Sequence, residues 1–433
     1  MKHTIFALAS AQGRAGVSVI RTSGSQSLAV AAQLTGKALA PRHATYAALT
    51  HDGEVIDQAI VIAFQAPNSF TGEDSVEYHV HGSVAVLDRL YGIFRSQGLS
   101  LAEPGEFSRR ALENGKLDLT QAEAIADLVD AESEAQRRQA LTQLDGGLKR
   151  QYEHWYQCLI NLLARIEVYI DFPDEDLPDR LQADILGRIA ILRDQLDNAI
   201  SDSRRGRQVR EGYRIVILGE PNAGKSSLFN TLLKAETAIV TPIAGTTRDV
   251  IEAQLRIGPY TVLLYDTAGL RETDEIVEAE GIRRARNKAE EADLRIWVID
   301  GTQTKVDLAH ISPDDLLVLT KADIRTPPDV SRETHVVSLK TSQGVDGLIA
   351  SIEQRVTKEL STQTFPAATR QRHIDRLSEA RDELDRALAS RLRVPELSAE
   401  HIRQAANAFD ALFGRYDVEG VLDVVFSTFC IGK

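Results

Sequence analysis

The sequence predicts a multidomain chain combining α+β and α/β classes: a small α+β domain, then a helical domain, with a P-loop domain built on a mostly parallel sheet inserted into the helical one. Three observations carry that prediction. Residues 1–117 hold short β-type runs separated by turn residues. Residues 118–210, and the chain after Pro366, hold apolar residues at helical spacing. Residues 213–360 alternate strands with helices around a phosphate-loop motif. At 433 residues the chain is too long for one ordinary core, and its length suggests about three domains.

In the first segment, residues 17–21 and 59–64 are branched and bounded by Gly, Pro or Asn, as strands are. A helix is expected over residues 84–97, after the His81-Gly82 turn. The texture changes at Asp118. Thr120 and Glu123 stand at capping-box spacing, and Ala122, Ile125, Leu128 and Val129 recur on one helical face. Gly146-Gly147 interrupts this segment, and a second stripe runs through Trp155, Leu159, Leu162, Leu163 and Ile166. Pro173 and Pro178 end it, and a further helix is expected to about Ser201. The basic run from Ser203 to Arg210 reads as a linker, open equally to a solvated helix end and to an RNA contact. Strands follow at residues 215–218, 260–265, 295–299, 316–319 and 335–338, and helical patterning resumes after Pro366. The expected domains are therefore 1–117, 118–210 with 361–433 as the two parts of one helical domain, and 211–360 as the P-loop domain.

Composition narrows the function classes. A net charge of −13 means the molecule as a whole is no electrostatic trap for nucleic acid, so any RNA partner needs a local basic patch or a helper. Two cysteines far apart, Cys158 and Cys430, argue for a reducing compartment and against a disulfide framework. No apolar run approaches the roughly 18–20 residues of a membrane span, and the N-terminus reads as a strand rather than a signal peptide. The expectation is a cytoplasmic, soluble protein with no membrane partner.

Gly219 to Ser226 fits G-x-x-x-x-G-K-[ST] between an apolar strand and a helix, the context a phosphate loop requires. N–H groups along Asn222, Ala223, Gly224, Lys225, Ser226 and Ser227 suit phosphate oxygens, Lys225 reaches the β and γ oxygens, and the Ser226 hydroxyl suits magnesium. Asp266-Thr267-Ala268-Gly269 closes a strand: the carboxylate suits the magnesium shell, and the Gly269 N–H suits the γ-phosphate. Between the two motifs, Thr246-Thr247 lies in the switch region, with Thr247 assigned to magnesium by position. Base choice falls to Thr320-Lys321-Ala322-Asp323. Guanine offers N1–H and N2–H to one carboxylate, and a buried Asp323 repels the adenine N1 acceptor. Lys321 packs its stem over the base, and Ser338, Leu339 and Lys340 supply a further base contact. Thr320 stands where asparagine is usual, which removes a side-chain amide and is expected to loosen binding.

Many small GTPases place glutamine after D-T-A-G to orient water, but here the residue is Leu270. The chain therefore hydrolyses slowly or uses another group, and the nearby acids Glu272, Asp274, Glu275, Glu278 and Glu280 are read individually as solvated switch charges. A monovalent cation held by Asn222 and the switch loop is one way to offset transition-state charge without an arginine.

The loop G-x-P-N-x-G-K-S-S, the segment from Ile239 to Asp249, the run Pro104-Gly105-Glu106-Phe107-Ser108-Arg109-Arg110, the run Asn114 to Leu119 and the ending Phe429-Cys430-Ile431-Gly432-Lys433 together resemble the MnmE (TrmE) family of tRNA-modification GTPases, over essentially the whole chain. The resemblance implies a Ras-like GTPase domain and an N-terminal domain that binds a formyl-tetrahydrofolate-type one-carbon donor and forms a homodimer. It implies an FAD-containing MnmG-type partner joined in a heterotetramer or larger complex. It further implies a tRNA substrate that gains a carboxymethylaminomethyl or aminomethyl group at C5 of its wobble uridine. Carried onto this chain, potassium falls on Asn222, Thr241, Ile243 and Thr246, with Thr241 and Thr246 also at the nucleotide, and the catalytic pair is Glu278 with Lys225. Folate contacts fall on Arg21, Glu77, Lys116 and Lys433, and Cys430 is a possible thiol at the one-carbon site. Cationic residues suit the anionic folate tail, and a carboxylate suits the pterin edge. His79 and His81 read as turn and pocket lining rather than metal ligands. The competing reading is a nucleotide-switched ribosome-assembly GTPase, against which stand the acidic balance and the absence of a recognisable appended RNA-binding domain. An ATP-using P-loop enzyme conflicts with Asp323.

Overall fold

The computed structural model describes residues 3–171, 179–234, 251–266, 288, 290–304, 308–328, 330, 332–361, 368–414, 426, 429 and 432. The chain divides into two compact units. One contains Met1–Ala126, Gln143–Arg193 and Glu379–Lys433; the other contains Asp127–Thr142 and Asp194–Ser378.

The first unit begins with strands β1 (Ile5–Leu8), β2 (Ala15–Ser23), β3 (Thr45–His51), β4 (Glu54–Phe64), β5 (Ser75–Gly82) and β6 (Ser100–Leu101), in the order β3-β4-β5-β2-β1-β6. All pairs are antiparallel except β1 with β6. Helices α1 (Ser27–Thr35) and α2 (Val84–Ser96) join one sheet face in a core of Phe6, Ile20, Leu49, Val61, Tyr78 and Phe94. The period of two then sends Ile5 and Ala7 to the other face, where Phe107 of α3 (Glu106–Glu113) covers them. The Pro104–Arg110 run explains how α3 is held. Gly105 has φ 69°, and the Phe426 side chain lies 2.9 Å from where a Cβ would stand. The buried Arg110 guanidinium is paired with Glu106 at 2.7 Å and Glu73 at 3.0 Å, and it donates to the His3 carbonyl at 2.9 Å. A charge so buried is tolerable because its donors are so fully used.

Helix α4 (Leu119–Val129) starts with a capping box, but two residues earlier than the sequence spacing predicts. Asp118 Oδ1 accepts the Gln121 N–H at 3.0 Å, and Gln121 Oε1 accepts the Asp118 N–H at 3.2 Å. Thr120 and Glu123 are instead buried inside the helix. Helices α5 (Glu134–Leu144), α6 (Gly147–Asp171) and α7 (Asp179–Glu211) follow, with Gly146 at φ 79° marking the expected break. Two further helices, Gln371–Ser390 and Pro395–Phe413, follow the segment inserted after α7. One of them brings Phe409 to within 6.1 Å of Tyr152 and 6.2 Å of Trp155 on α6, ring centre to ring centre. Helices from either side of the insertion thus share one aromatic core.

The second unit holds strands β7 (Tyr213–Gly219), β8 (Ile251–Ile257), β9 (Tyr260–Asp266), β10 (Leu294–Asp300), β11 (Leu316–Thr320) and β12 (His335–Val336), ordered β12-β11-β10-β7-β9-β8. Helices α8 (Lys225–Lys234) and α9 (Val345–Leu360) pack with it, and α10 (Gln371–Ser390) and α11 (Pro395–Phe413) follow in sequence. The sheet is parallel except for β8, which pairs antiparallel with β9 across the Gly258-Pro259 turn. This strand was missed from sequence, although Ala253 and Leu255 alternate inward in a recognisable period of two. The linker reading of residues 203–210 is also corrected: α7 continues through them to Glu211. Val209 is buried in the sheet core, Gln208 Nε2 donates to Asp293 Oδ1 at 2.7 Å, and Gln139 Nε2 donates to the Gly206 carbonyl at 3.0 Å. Packing on one side holds the basic run helical while Arg204 and Arg205 stay exposed and Arg210 pairs with Asp127 at 3.1 Å. Among the described residues, no helix is long and apolar enough to cross a membrane.

Candidate nucleotide site

The site lies at the carboxyl ends of β7, β9, β10 and β11, where a doubly wound sheet presents loops to a ligand. β7 ends at Gly219 with φ 143°, and a Cβ there would overlap the Val298 carbonyl oxygen of β10. Only glycine lets the chain turn away so close to its neighbour. Asn222 at φ 60° and Gly224 at φ 102° complete the left-handed turns that direct successive N–H groups inward. Helix α8 starts at Lys225, so its N-terminal end adds to the same cradle. Lys225 is buried, and its Nζ donates to the Glu220 carbonyl at 2.7 Å; Ser226, Ser227 and Asn222 are exposed. Asp266 is buried at the end of β9, in register with Ile217 of β7. The Ser226 hydroxyl and the Asp266 carboxylate are the hard oxygen donors a magnesium ion takes.

The base-recognition loop is held from three sides. Thr320 is buried, and its hydroxyl donates to the Ala223 carbonyl of the phosphate loop at 2.6 Å. At this position the threonine hydroxyl thus acts as a strut that ties the two loops together. The Ser338 hydroxyl donates to Asp323 Oδ1 at 2.7 Å and accepts the Thr341 N–H at 3.2 Å. It thus aims the carboxylate instead of standing free for a base. Asp323 itself is exposed, not buried as expected. Leu339 packs partly buried against the sheet core, and Lys340 is exposed. Lys321 has φ 59°, and its Nζ lies 2.6 Å from Asp300 Oδ2, a partner sequence reasoning missed. The signal available was an acid closing a strand, Ile299-Asp300-Gly301, but nothing in the sequence says which lysine it meets.

Thr241, Ile243, Thr246, Thr247, Gly269, Glu278, Cys430 and Lys433 lie outside the described residues. In the first unit, Arg21 and Glu77 are cross-strand neighbours, with Nη2 2.8 Å and Nε 3.1 Å from Oε1. The Arg21 guanidinium also lies 5.5 Å from the Phe70 ring centre and 5.7 Å from that of Phe107. The two charges assigned separately to a ligand thus neutralise each other here. Lys116 follows α3 with its stem against Gly72, 3.2 Å from a Cβ built there. His79 Nε2 is 3.6 Å from Glu77, and His81 Nδ1 is 2.7 Å from Asp57. Burial pushes the Asp57 carboxyl up, but the bonds from His81 and Gln58 outweigh it and hold the group below its ordinary range.

A parallel sheet that supplies a phosphate loop, a buried lysine, a strand-end aspartate and a carboxylate-bearing base loop defines a guanine-nucleotide-binding protein of the P-loop class. The family described as "GTP-binding protein TrmE N-terminus" matches residues 4–116, and that described as "MnmE helical domain" matches residues 119–430. The chain belongs to the MnmE (TrmE) family. Relatives named "tRNA modification GTPase MnmE" include that of Caulobacter vibrioides, 49% identical over 100% of both chains. Those of Phenylobacterium zucineum (46%, 100% of both chains) and Rhodospirillum rubrum (47%, 99% of both chains) are similar. Among solved structures, the G domain of the T. maritima FeoB iron transporter aligns with 34% of this chain and 99% of its own at 23% identity, with a TM-score of 0.26, too low to support a comparison.

Proposed function

We propose that this chain binds and hydrolyses GTP and uses that cycle to drive tRNA modification. The observation that carries the nucleotide half is the joining of two recognition elements through Thr320: the phosphate cradle at Ala223 and the carboxylate loop at Asp323. In hydrolysis a water oxygen attacks the γ-phosphorus, the bond to the β–γ bridging oxygen breaks, and GDP and phosphate leave. Lys225 offsets charge on the β and γ oxygens. Glu278 orients the water, the task Leu270 cannot perform. Magnesium, held by Ser226 and Thr247 with Asp266 in its shell, supplies further charge neutralisation when bound. Potassium is assigned to Asn222, Thr241, Ile243 and Thr246; the left-handed, exposed Asn222 supports its part of that set.

The transferred group is proposed to be carboxymethylaminomethyl or aminomethyl at C5 of a wobble uridine. It is installed by a homodimer of this chain with an FAD-containing MnmG-type partner and a formyl-tetrahydrofolate-type donor. Arg21, 5.5 Å from the Phe70 ring centre and paired with Glu77, supports the cationic and carboxylate part of this set, a chemistry suited to a flat, acidic heterocycle; Lys116 and Lys433 are the remaining assigned contacts. The test joins two measurements: GTP against ATP turnover by the purified chain, and the wobble-nucleoside mass spectrum of cells with and without the gene. Turnover of ATP equal to GTP defeats the nucleotide assignment, and an unchanged nucleoside spectrum defeats the pathway.

A further inference from the structure

Asp300 closes β10 and stands in register with Thr320, the last residue of β11. Lys321 follows Thr320 at φ 59°, and the ammonium lies 2.6 Å from Asp300 Oδ2. The other carboxylate oxygen accepts the Thr302 N–H at 3.0 Å and the Thr302 hydroxyl at 2.7 Å, so the acid is itself clamped. The strand ends are locked together as well: the Gly301 N–H donates to the Thr320 carbonyl at 3.0 Å, and a Cβ on Gly301 would overlap that oxygen. Burial pushes the Asp300 carboxyl up, but the bonds from Lys321 and Thr302 outweigh it and leave the group below its ordinary range.

An ion pair with side chains 34% and 21% exposed adds little to global stability. Its larger effect is on order. A lysine stem that stacks on a base must surrender its rotamers when the base binds, unless they are already restricted. We propose that Asp300 is a positioning residue for guanine-nucleotide binding, holding the Lys321 side chain in place before the base arrives. The inference rests on the GTP-binding reading of the base loop.

The test uses the purified full chain and mant-GDP, with protein titrated high enough to measure affinities a hundredfold weaker than the parent's. Asp300→Asn keeps an acceptor for Thr302 but removes the charge facing Lys321. Its Kd is expected to rise about tenfold, the usual scale for a lost hydrogen bond to a charged group. The thermal midpoint is expected to stay within about 2 °C of the parent. In a Lys321→Met background the same substitution is expected to add less than about a twofold change, because the group it acts through is gone. An unchanged Kd for Asp300→Asn overturns the proposal, and so does an equal tenfold loss in both backgrounds. Failure of the parent chain to bind mant-GDP at all defeats the GTP-binding reading instead, and this proposal with it.

Discussion

At Thr320 one hydroxyl stands where an amide is expected in a base-recognition loop, and it ties that loop to the phosphate loop through its 2.6 Å bond to the Ala223 carbonyl. Thr320→Val keeps the shape and strands that buried carbonyl, at a cost of about 1–3 kcal/mol. We expect mant-GDP release at least about tenfold faster by stopped flow, with Thr320→Ser near the parent; equal rates for Val and parent show the strut to be idle. Asp323→Asn replaces an acceptor pair with one acceptor and one donor, which matches xanthine, whose C2 bears a carbonyl, better than guanine. Competition binding should show preference moving from GDP to XDP, and retained GDP preference removes Asp323 from base choice. The types at Lys225, Asp266 and Asp323 were legible because their motifs are local. The partners Asp300 and Ala223 were not, since strand neighbours meet through the sheet rather than along the chain.

The elements show the same division between local and non-local causes. Helix α2 and the break at Gly146 follow from local pattern, and both appear within a residue or so of where the sequence puts them. The cap of α4 does not: Thr120 and Glu123 have the right spacing, but Asp118 and Gln121 have it too, and burial of Thr120 decides between them. Asp118→Ala is therefore expected to destabilise the first unit by about 1 kcal/mol, while Glu123→Gln leaves the Asp118–Gln121 cap intact. Hydrogen exchange of the α4 first-turn amides checks this, and unchanged protection in Asp118→Ala would reject the assigned cap. The last turns of α7, residues 203–210, were read as a linker and strand β8 was missed for a related reason. A basic run is helical only if something covers one face, and Val209 with Gln208 finds that cover in the second unit.

For the molecule as a whole, the proposed cycle separates two chemistries along one chain. Potassium assistance predicts GTP turnover several-fold faster in potassium than in sodium at equal ionic strength; equal rates remove the cation from the mechanism. Deleting the last four residues, from Cys430 to Lys433, should abolish the modified wobble nucleoside by mass spectrometry while GTP turnover by the purified chain persists. Loss of both would make that ending part of the nucleotide unit. Sequence by itself determined the class of nucleotide, the fold classes and the family, because each motif is a short contiguous run and the runs 104–110, 114–119 and 429–433 are specific to the family. Tertiary structure alone decided that Thr320 is a strut, that Arg21 and Glu77 pair with each other, that Asp300 meets Lys321 and that residues 203–210 are helix. Each of those depends on which groups a folded sheet or helix brings within about 3 Å, a distance set by register and burial rather than by order along the chain.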